Sequence, residues 1–285
     1  MSARKLLALL VVVWAVSWPV IKLGVSNISP IWFACLRYAL ATGVLLMVAA
    51  ARRELQLPNR SDLRLVLVSG LLQMGVYSAL TSVALTRLPA GRASVLAFST
   101  PIWVAPLAVW RKQERFTARS AIGVCTGLLG IIAIAAPSML AGRAGLTSYG
   151  ILLIAAIAWA VSIVFVRGHR FHATPAALAP WQTLVAAAVL FPLAFTIEGR
   201  MPSFGGRGGA ALLYVAVVGT AFAYWAVVEV GRQLKATTLS VGLLATPSLG
   251  LLISALTQGE RIGMPLIGGM VLIAVGIQLT TTDRE

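Results

Sequence analysis

The residues most open to a chemical reading are two threonine–proline pairs, Thr100–Pro101 and Thr246–Pro247, and three tryptophans, Trp14, Trp103 and Trp159. None is a catalytic group. A proline inside a helix removes one N–H and clashes with the carbonyl four residues back, here that of Ala97 or Leu243, so it bends the helix and frees an acceptor. The neighbouring threonine hydroxyls can satisfy freed backbone groups, and tryptophan faces attract ammonium groups. This is the chemistry of recognition and bending, not of bond making. The groups that make bonds are sparse. Of eight acids, Glu54, Asp62, Glu114, Glu198, Glu260, Asp283 and Glu285 fall in loops or at helix ends, and Glu229 at the inner end of a span. Cys35 and Cys125 lack metal-ligand spacing and read as small apolar packers. His169 and His172 sit beside Arg167 and Arg170 in a loop and read as solvated. No metal site and no cofactor is expected, and coupling to protons has no carboxylate inside a span to carry it.

The elements that must position these residues are membrane helices. Hydrophobic residues make up 59% of the 285-residue chain and charged residues 11%, against about a quarter charged in soluble domains. Runs without Asp, Glu, Lys or Arg cover 65–86, 93–110, 120–142, 144–166, 171–197, 208–228, 236–259 and 262–282. Each approaches the ~20 residues a helix needs to cross hydrocarbon. Two more spans, 6–21 and 30–51, carry only Lys22 at an end and Arg37 within. The ten spans form one unit written twice. WAVS occurs at 14–17 and 159–162, Ser29–Pro30 answers to Thr174–Pro175, and "TPIWVAPLAVWRKQER" (100–115) answers to "TPSLGLLISALTQGER" (246–261). Gly123 and Gly130 answer to Gly269 and Gly276. Because WAVS recurs inside span six, the first span belongs to the fold and is not a cleaved signal peptide.

The expected fold is therefore an all-α integral membrane protein of ten transmembrane helices, with one five-helix repeat over 1–142 and a second over 143–285. An odd number of spans per copy inverts the second copy, the architecture of transporters that alternate access around a midplane site. With both termini cytoplasmic, 15 basic residues face the cytoplasm and 7 the other side, where the 137–149 linker then lies. The net charge of +15 is scattered over short loops, which argues against a nucleic-acid face.

The matched prolines at the centres of spans four and nine mark Pro101, Pro247, Thr100 and Thr246 as hinge and cavity candidates, with a packing kink as the alternative. Trp14, Trp18, Tyr77, Phe98, Trp103, Trp159 and Tyr224, with the polar Gln73, Ser78, Ser99 and Ser162, are the candidate substrate-binding wall; interhelical packing is the bland reading of each. Ser82, Thr220 and Ser248 join them as polar neighbours. Arg37 reads as snorkelling or bonded to a carbonyl rather than binding substrate. Gly123 and Gly127 form a GxxxG whose expected partner is span ten.

The stretches "WAVSWPVIKLG" (14–24), "SPIWFACLRYALA" (29–41), "STPIWVAPLAVWRKQERF" (99–116) and "ATPSLGLLISALTQGERI" (245–262) resemble the drug/metabolite transporter superfamily, in particular its EamA-type ten-helix members, over the whole length. Among these the chain is similar to bacterial inner-membrane exporters of aromatic amino acids. The resemblance implies a central cavity between spans one, three, four, six, eight and nine. The expected partners are the lipid bilayer and small-molecule amino-acid substrates, with the chain acting as a monomer. The first copy has Gln-Glu-Arg at 113–115 where many members have Gly-Glu-Arg; the second keeps Gly259-Glu260-Arg261. The rival readings are an exporter of aromatic cations and a membrane enzyme acting on lipid phosphates, for which the acids form no cluster.

Overall fold

Helix starts in this chain are written by prolines and small polar caps. Pro30 and Pro175 occupy first-turn positions, where a missing N–H costs nothing and φ is already helical. Thr174 Oγ1 accepts the Ala177 N–H at 3.2 Å, and Asn59 Oδ1 accepts that of Asp62 at 2.7 Å. The structure, a computed structural model, describes residues 2–113, 117–140, 146–167, 169, 172–203, 205–234 and 236–281. Glu114, part of the 137–149 linker, Arg170, Lys235, Asp283 and Glu285 lie outside the described residues.

The helices are α1 (Ala3–Val25), α2 (Pro30–Ala51), α3 (Arg60–Leu85), α4 (Ala90–Trp110), α5 (Ala118–Leu140), α6 (Leu146–Arg167), α7 (Pro175–Glu198) and α8 (Gly206–Gln233). α9 is made of two segments, Ala236–Leu243 and Ala245–Gln258, and α10 is Met264–Thr281. The first eight are long and apolar enough to cross a bilayer, whereas α9 is split and α10 is shorter. The described residues contain no strand. Large apolar side chains such as Met47, Ile132, Ile154, Phe195 and Leu256 face outward, as lipid contact requires.

Irregularities recur at the repeat offset. α3 opens into a π-helix over Ser69–Val76 and α8 over Tyr214–Phe222. α4 breaks at Phe98 and Ser99, and α9 at Leu244; in each case the proline that cannot donate to the ladder follows within three residues. α2 ends with Arg53 in the left-handed region (φ 56°), one residue before the position answering to Gly199 (φ 78°). α4 ends with Lys112 left-handed (φ 57°), one residue before the position answering to left-handed Gly259 (φ 67°). The first copy's Gln113 therefore needs no positive φ. Its amide instead donates to the Val164 carbonyl at 3.0 Å.

Packing follows the same scheme. α5 and α10 run antiparallel with backbones in contact. A Cβ at Gly123 would stand 2.8 Å from the Gly276 carbonyl oxygen, and one at Gly130 2.6 Å from that of Gly269. The repeat offset sends Gly123 to Gly269 and Gly130 to Gly276, so this contact maps onto itself. α2 and α7 are likewise antiparallel: Trp32 packs edge-on against Phe191 (5.5 Å between centroids), Cys35 Sγ lies 3.7 Å from Ala187 O, and Thr42 donates to Thr183 Oγ1 at 2.8 Å. α1 packs on α8 and α9, and α6 on α3 and α4.

Carboxylates tie helix starts across the molecule. Glu198, ending α7, accepts the N–H groups of Ile31 and Trp32 (both 2.9 Å). Glu260, after α9, accepts those of Gly91 (2.8 Å) and Arg92 (3.1 Å). Asp62 accepts from Ala173 N at 2.9 Å and pairs with His169 Nε2 at 3.0 Å. His169 is thus held against a buried carboxylate rather than solvated; its ring is 14% exposed.

Candidate functional site

The two π segments and the α4 break face a central cavity of about 1000 Å³. A π turn adds a residue to the helical repeat and re-aims the side chains after it, which is why such turns gather at functional sites. In α8 the Thr220 hydroxyl donates to Val215 O, five residues back, at 2.7 Å. The same oxygen accepts from Arg37 Nε at 2.7 Å. In α3 the π segment places Gln73 and Met74 on the wall and hands over to Tyr77 and Ser78. Tyr38 and Ser78 share a hydroxyl–hydroxyl bond of 2.7 Å, and the Tyr224 hydroxyl donates to Gln182 Oε1 at 2.5 Å.

One wall is aromatic. The Tyr77 and Trp159 centroids are 4.9 Å apart at 59°, and Phe98 meets Trp159 edge-on at 6.5 Å. Trp14 and Trp18 of α1 complete it. α1 and α8 approach closely at the cavity surface, where a Cβ at Gly219 would stand 2.7 Å from Ser17 Oγ. Of the residues expected on the wall, Trp14, Trp18, Gln73, Tyr77, Ser78, Phe98, Trp159 and Tyr224 all line the cavity.

Ser99, Trp103 and Ser162 do not; they form the layer behind it. Trp103 Nε1 donates to Ser99 Oγ at 3.3 Å, one turn back on the same helix face, and Trp103 packs toward Val104, Ala160 and Val164. Ser162 is fully buried with its hydroxyl 3.5 Å from Gln73 Oε1. The hinge candidates are also set back from the cavity surface. The Thr100 hydroxyl donates to Ala97 O at 2.7 Å, so the carbonyl released by Pro101 has one partner within its own helix. Thr246 Oγ1 is buried without a hydrogen-bond partner. Ser248 faces α10, with its hydroxyl 3.7 Å from Met270 Sδ.

Sequence reasoning passed over Tyr38, Ser17 and Thr81, which line the cavity; Arg37, read as snorkelling or bonded to a carbonyl, lines it too and donates to the Thr220 hydroxyl. The available signal was positional. The offset that aligns Pro30 with Pro175 aligns Arg37 with Gln182, a polar residue at the same place in both copies.

Toward one end the cavity is lined by the exposed residues Glu54, Gln56 and Arg232, with Thr174–Ala177 beside them. At the opposite end the helices are tied together. Lys22 Nζ donates to Leu85 O at 2.5 Å and Gln258 Nε2 to Pro19 O at 2.9 Å. Glu260 grips the start of α4 and also accepts from Ser254 Oγ at 2.7 Å. Among the described residues no group of three or more His, Cys, Asp or Glu could hold a metal.

The apolar helices mark a multi-pass helical membrane protein built around a central cavity, and comparison with known proteins gives its class. The EamA-like transporter family profile matches twice, over residues 2–136 and 146–282. The chain belongs to that family. It is similar to the uncharacterized transporter YoaV of Bacillus subtilis, 25% identical over 94% of this chain and 93% of the relative. It is also similar to a probable amino-acid metabolite efflux pump of Escherichia coli, 25% identical over 95% and 92% of the two chains. The fold is similar to that of a solved crystal structure, with a TM-score of 0.64 over 98% of this chain and 96% of the other at 18% identity.

Proposed function

We propose that this chain exports aromatic and other neutral amino acids and related small metabolites across the bacterial inner membrane, acting as a monomer. In this reading it crosses the bilayer ten times as two inverted halves, 1–142 and 143–285, with both termini in the cytoplasm. The observation that carries it is the aromatic cavity of about 1000 Å³, lined toward one end by exposed residues and faced at the other by the contacts of Lys22, Gln258 and Glu260, of a size and lining suited to a small solute. The antiparallel, self-mapping contact of α5 and α10 supports the inverted halves. The 15-to-7 split of basic residues supports a cytoplasmic position for the end of the cavity near Glu54 and Arg232, the loading side for an exporter. Two relatives are named probable amino-acid metabolite efflux pumps, which supports this substrate class over lipid-phosphate chemistry. The breaks beside Pro101 and Pro247 are where α4 and α9 would flex between states, through backbone already short of one ladder bond. The test is efflux of radiolabelled amino acids from loaded proteoliposomes, with and without a pH gradient. No efflux of any member of the panel above empty-lipid controls overturns the proposal.

The wall makes a selective prediction. Trp159→Ala removes ring contacts to Tyr77 and Phe98, and Trp14→Ala removes a second indole from the cavity lining. An aromatic contact contributes about 1 kcal/mol beyond area burial. Both variants should therefore lose several-fold more transport of phenylalanine and tryptophan than of threonine. Equal losses for all three solutes would reduce these rings to packing.

A further inference from the structure

We propose that Arg37 is the anion anchor of the cavity, so that the transported solutes are those bearing a carboxylate rather than aromatic amines or cations; this rests on reading the cavity as the solute path. A guanidinium inside a membrane bundle is costly and is normally paired. Here the described residues give it no carboxylate. Its Nε donates to Thr220 Oγ1 at 2.7 Å, and its carbon lies 5.2 Å from the Tyr38 ring centroid, an arrangement that fixes the group's plane without neutralising it. The other charged residues on the wall, Glu54 and Arg232, stand at the mouth, and Arg232 lies 3.8 Å from Glu229. Among the described residues, the deep cavity therefore carries one uncompensated positive charge beside an aromatic wall.

Packing does not require that charge. Gln182 occupies the equivalent place in the second half, is 5% exposed, and satisfies its amide oxygen with the Tyr224 hydroxyl at 2.5 Å. A neutral amide thus serves the fold at this position, and only the copy facing open cavity carries a cation. Arginine suits the task because its planar fork matches a carboxylate with two parallel hydrogen bonds. With Nε engaged by Thr220, the terminal amino groups remain for the solute. The aromatic wall takes the side chain of the same molecule. An aromatic cation would meet the rings but also the guanidinium, which repels it.

The experiment uses the purified full chain in lipid nanodiscs and reads the change in tryptophan fluorescence, to which Trp14, Trp18 and Trp159 on the wall contribute. The probes are 3-phenylpropionate, which has a carboxylate and no amine, and phenethylamine, which has the reverse. Wild-type protein should bind phenylpropionate at least tenfold more tightly than phenethylamine. Arg37→Gln, copying position 182, should abolish that preference, and Arg37→Lys should keep part of it. Equal binding of both probes by the wild type overturns the proposal, as does an Arg37→Gln protein that keeps the preference. If Arg37→Gln fails to fold, the wild-type comparison alone decides. Phenylpropionate preference without amino-acid efflux would sink the amino-acid reading and leave the anchor standing; efflux without the preference would do the opposite.

Discussion

Gly276→Leu should abolish recovery of folded protein, whereas Gly268→Leu on the same helix should leave it near wild type. A Cβ at position 276 would stand 2.6 Å from Gly123 O, 2.7 Å from Gly127 N and 2.9 Å from Gly127 Cα. All three are backbone atoms of α5 and cannot rotate away, so α10 must lift off its partner. Overpacking of this kind costs about 1–3 kcal/mol when side chains can adjust, and more when they cannot. That is a large share of a total stability of about 5–15 kcal/mol. Nothing lies within 4 Å of a Cβ at Gly268. Size-exclusion profiles and thermal unfolding of the two variants in detergent decide the matter. Similar behaviour of the pair would remove the glycine seam as the reason α5 and α10 associate.

The second large effect is expected at Glu260. Its carboxylate accepts from Gly91 N, Arg92 N and Ser254 Oγ, and lies 3.7 Å from Arg92 Nε. Hydrogen bonds to a charged group contribute about 1.5–3 kcal/mol each. Glu260→Ala removes several at once and leaves the start of α4 without acceptors. A loss of only 1.4 kcal/mol shifts an equilibrium tenfold, so the tied end should open in a substantial fraction of molecules. With Cys35 and Cys125 replaced, a cysteine at the cavity residue Ser17 should then react with an impermeant thiol reagent from the Lys22 side at least ten times faster. An unchanged rate would make Glu260 a helix cap with no part in closure.

Much of this was legible in the amino-acid order because hydrocarbon imposes a plain rule, that charges stay out. Hence the spans could be read from charge-free runs, and the glycine seam from Gly123, Gly130, Gly269 and Gly276 at matching positions. Both proline breaks were legible for the same local reason, a missing donor. The wall was partly legible, since tryptophans and tyrosines near span centres need partners that lipid cannot supply. Ser99, Trp103 and Ser162 misled because rotation about a helix, not depth along it, decides which side chains reach the cavity. The π segments left no mark, as one extra residue per turn does not disturb an apolar run. Arg37 could not be placed from its own surroundings; its orientation depends on Thr220, far away in the chain and itself turned by a π segment. The roles of Glu198 and Glu260 were hidden in the same way, each being a helix-end acid until the helix it caps is known.

Those two carboxylates also set an order of events during synthesis. α2 and α4 enter the membrane early, yet the acceptors for their first N–H groups belong to residues 198 and 260. Until the ribosome has made the second half, the start of α2 has water or lipid headgroups for its N–H groups in place of Glu198, and the start of α4 has them in place of Glu260. The nascent first half is therefore an unfinished object that waits for its twin, and its helices can settle into their final places only as the last quarter of the chain arrives.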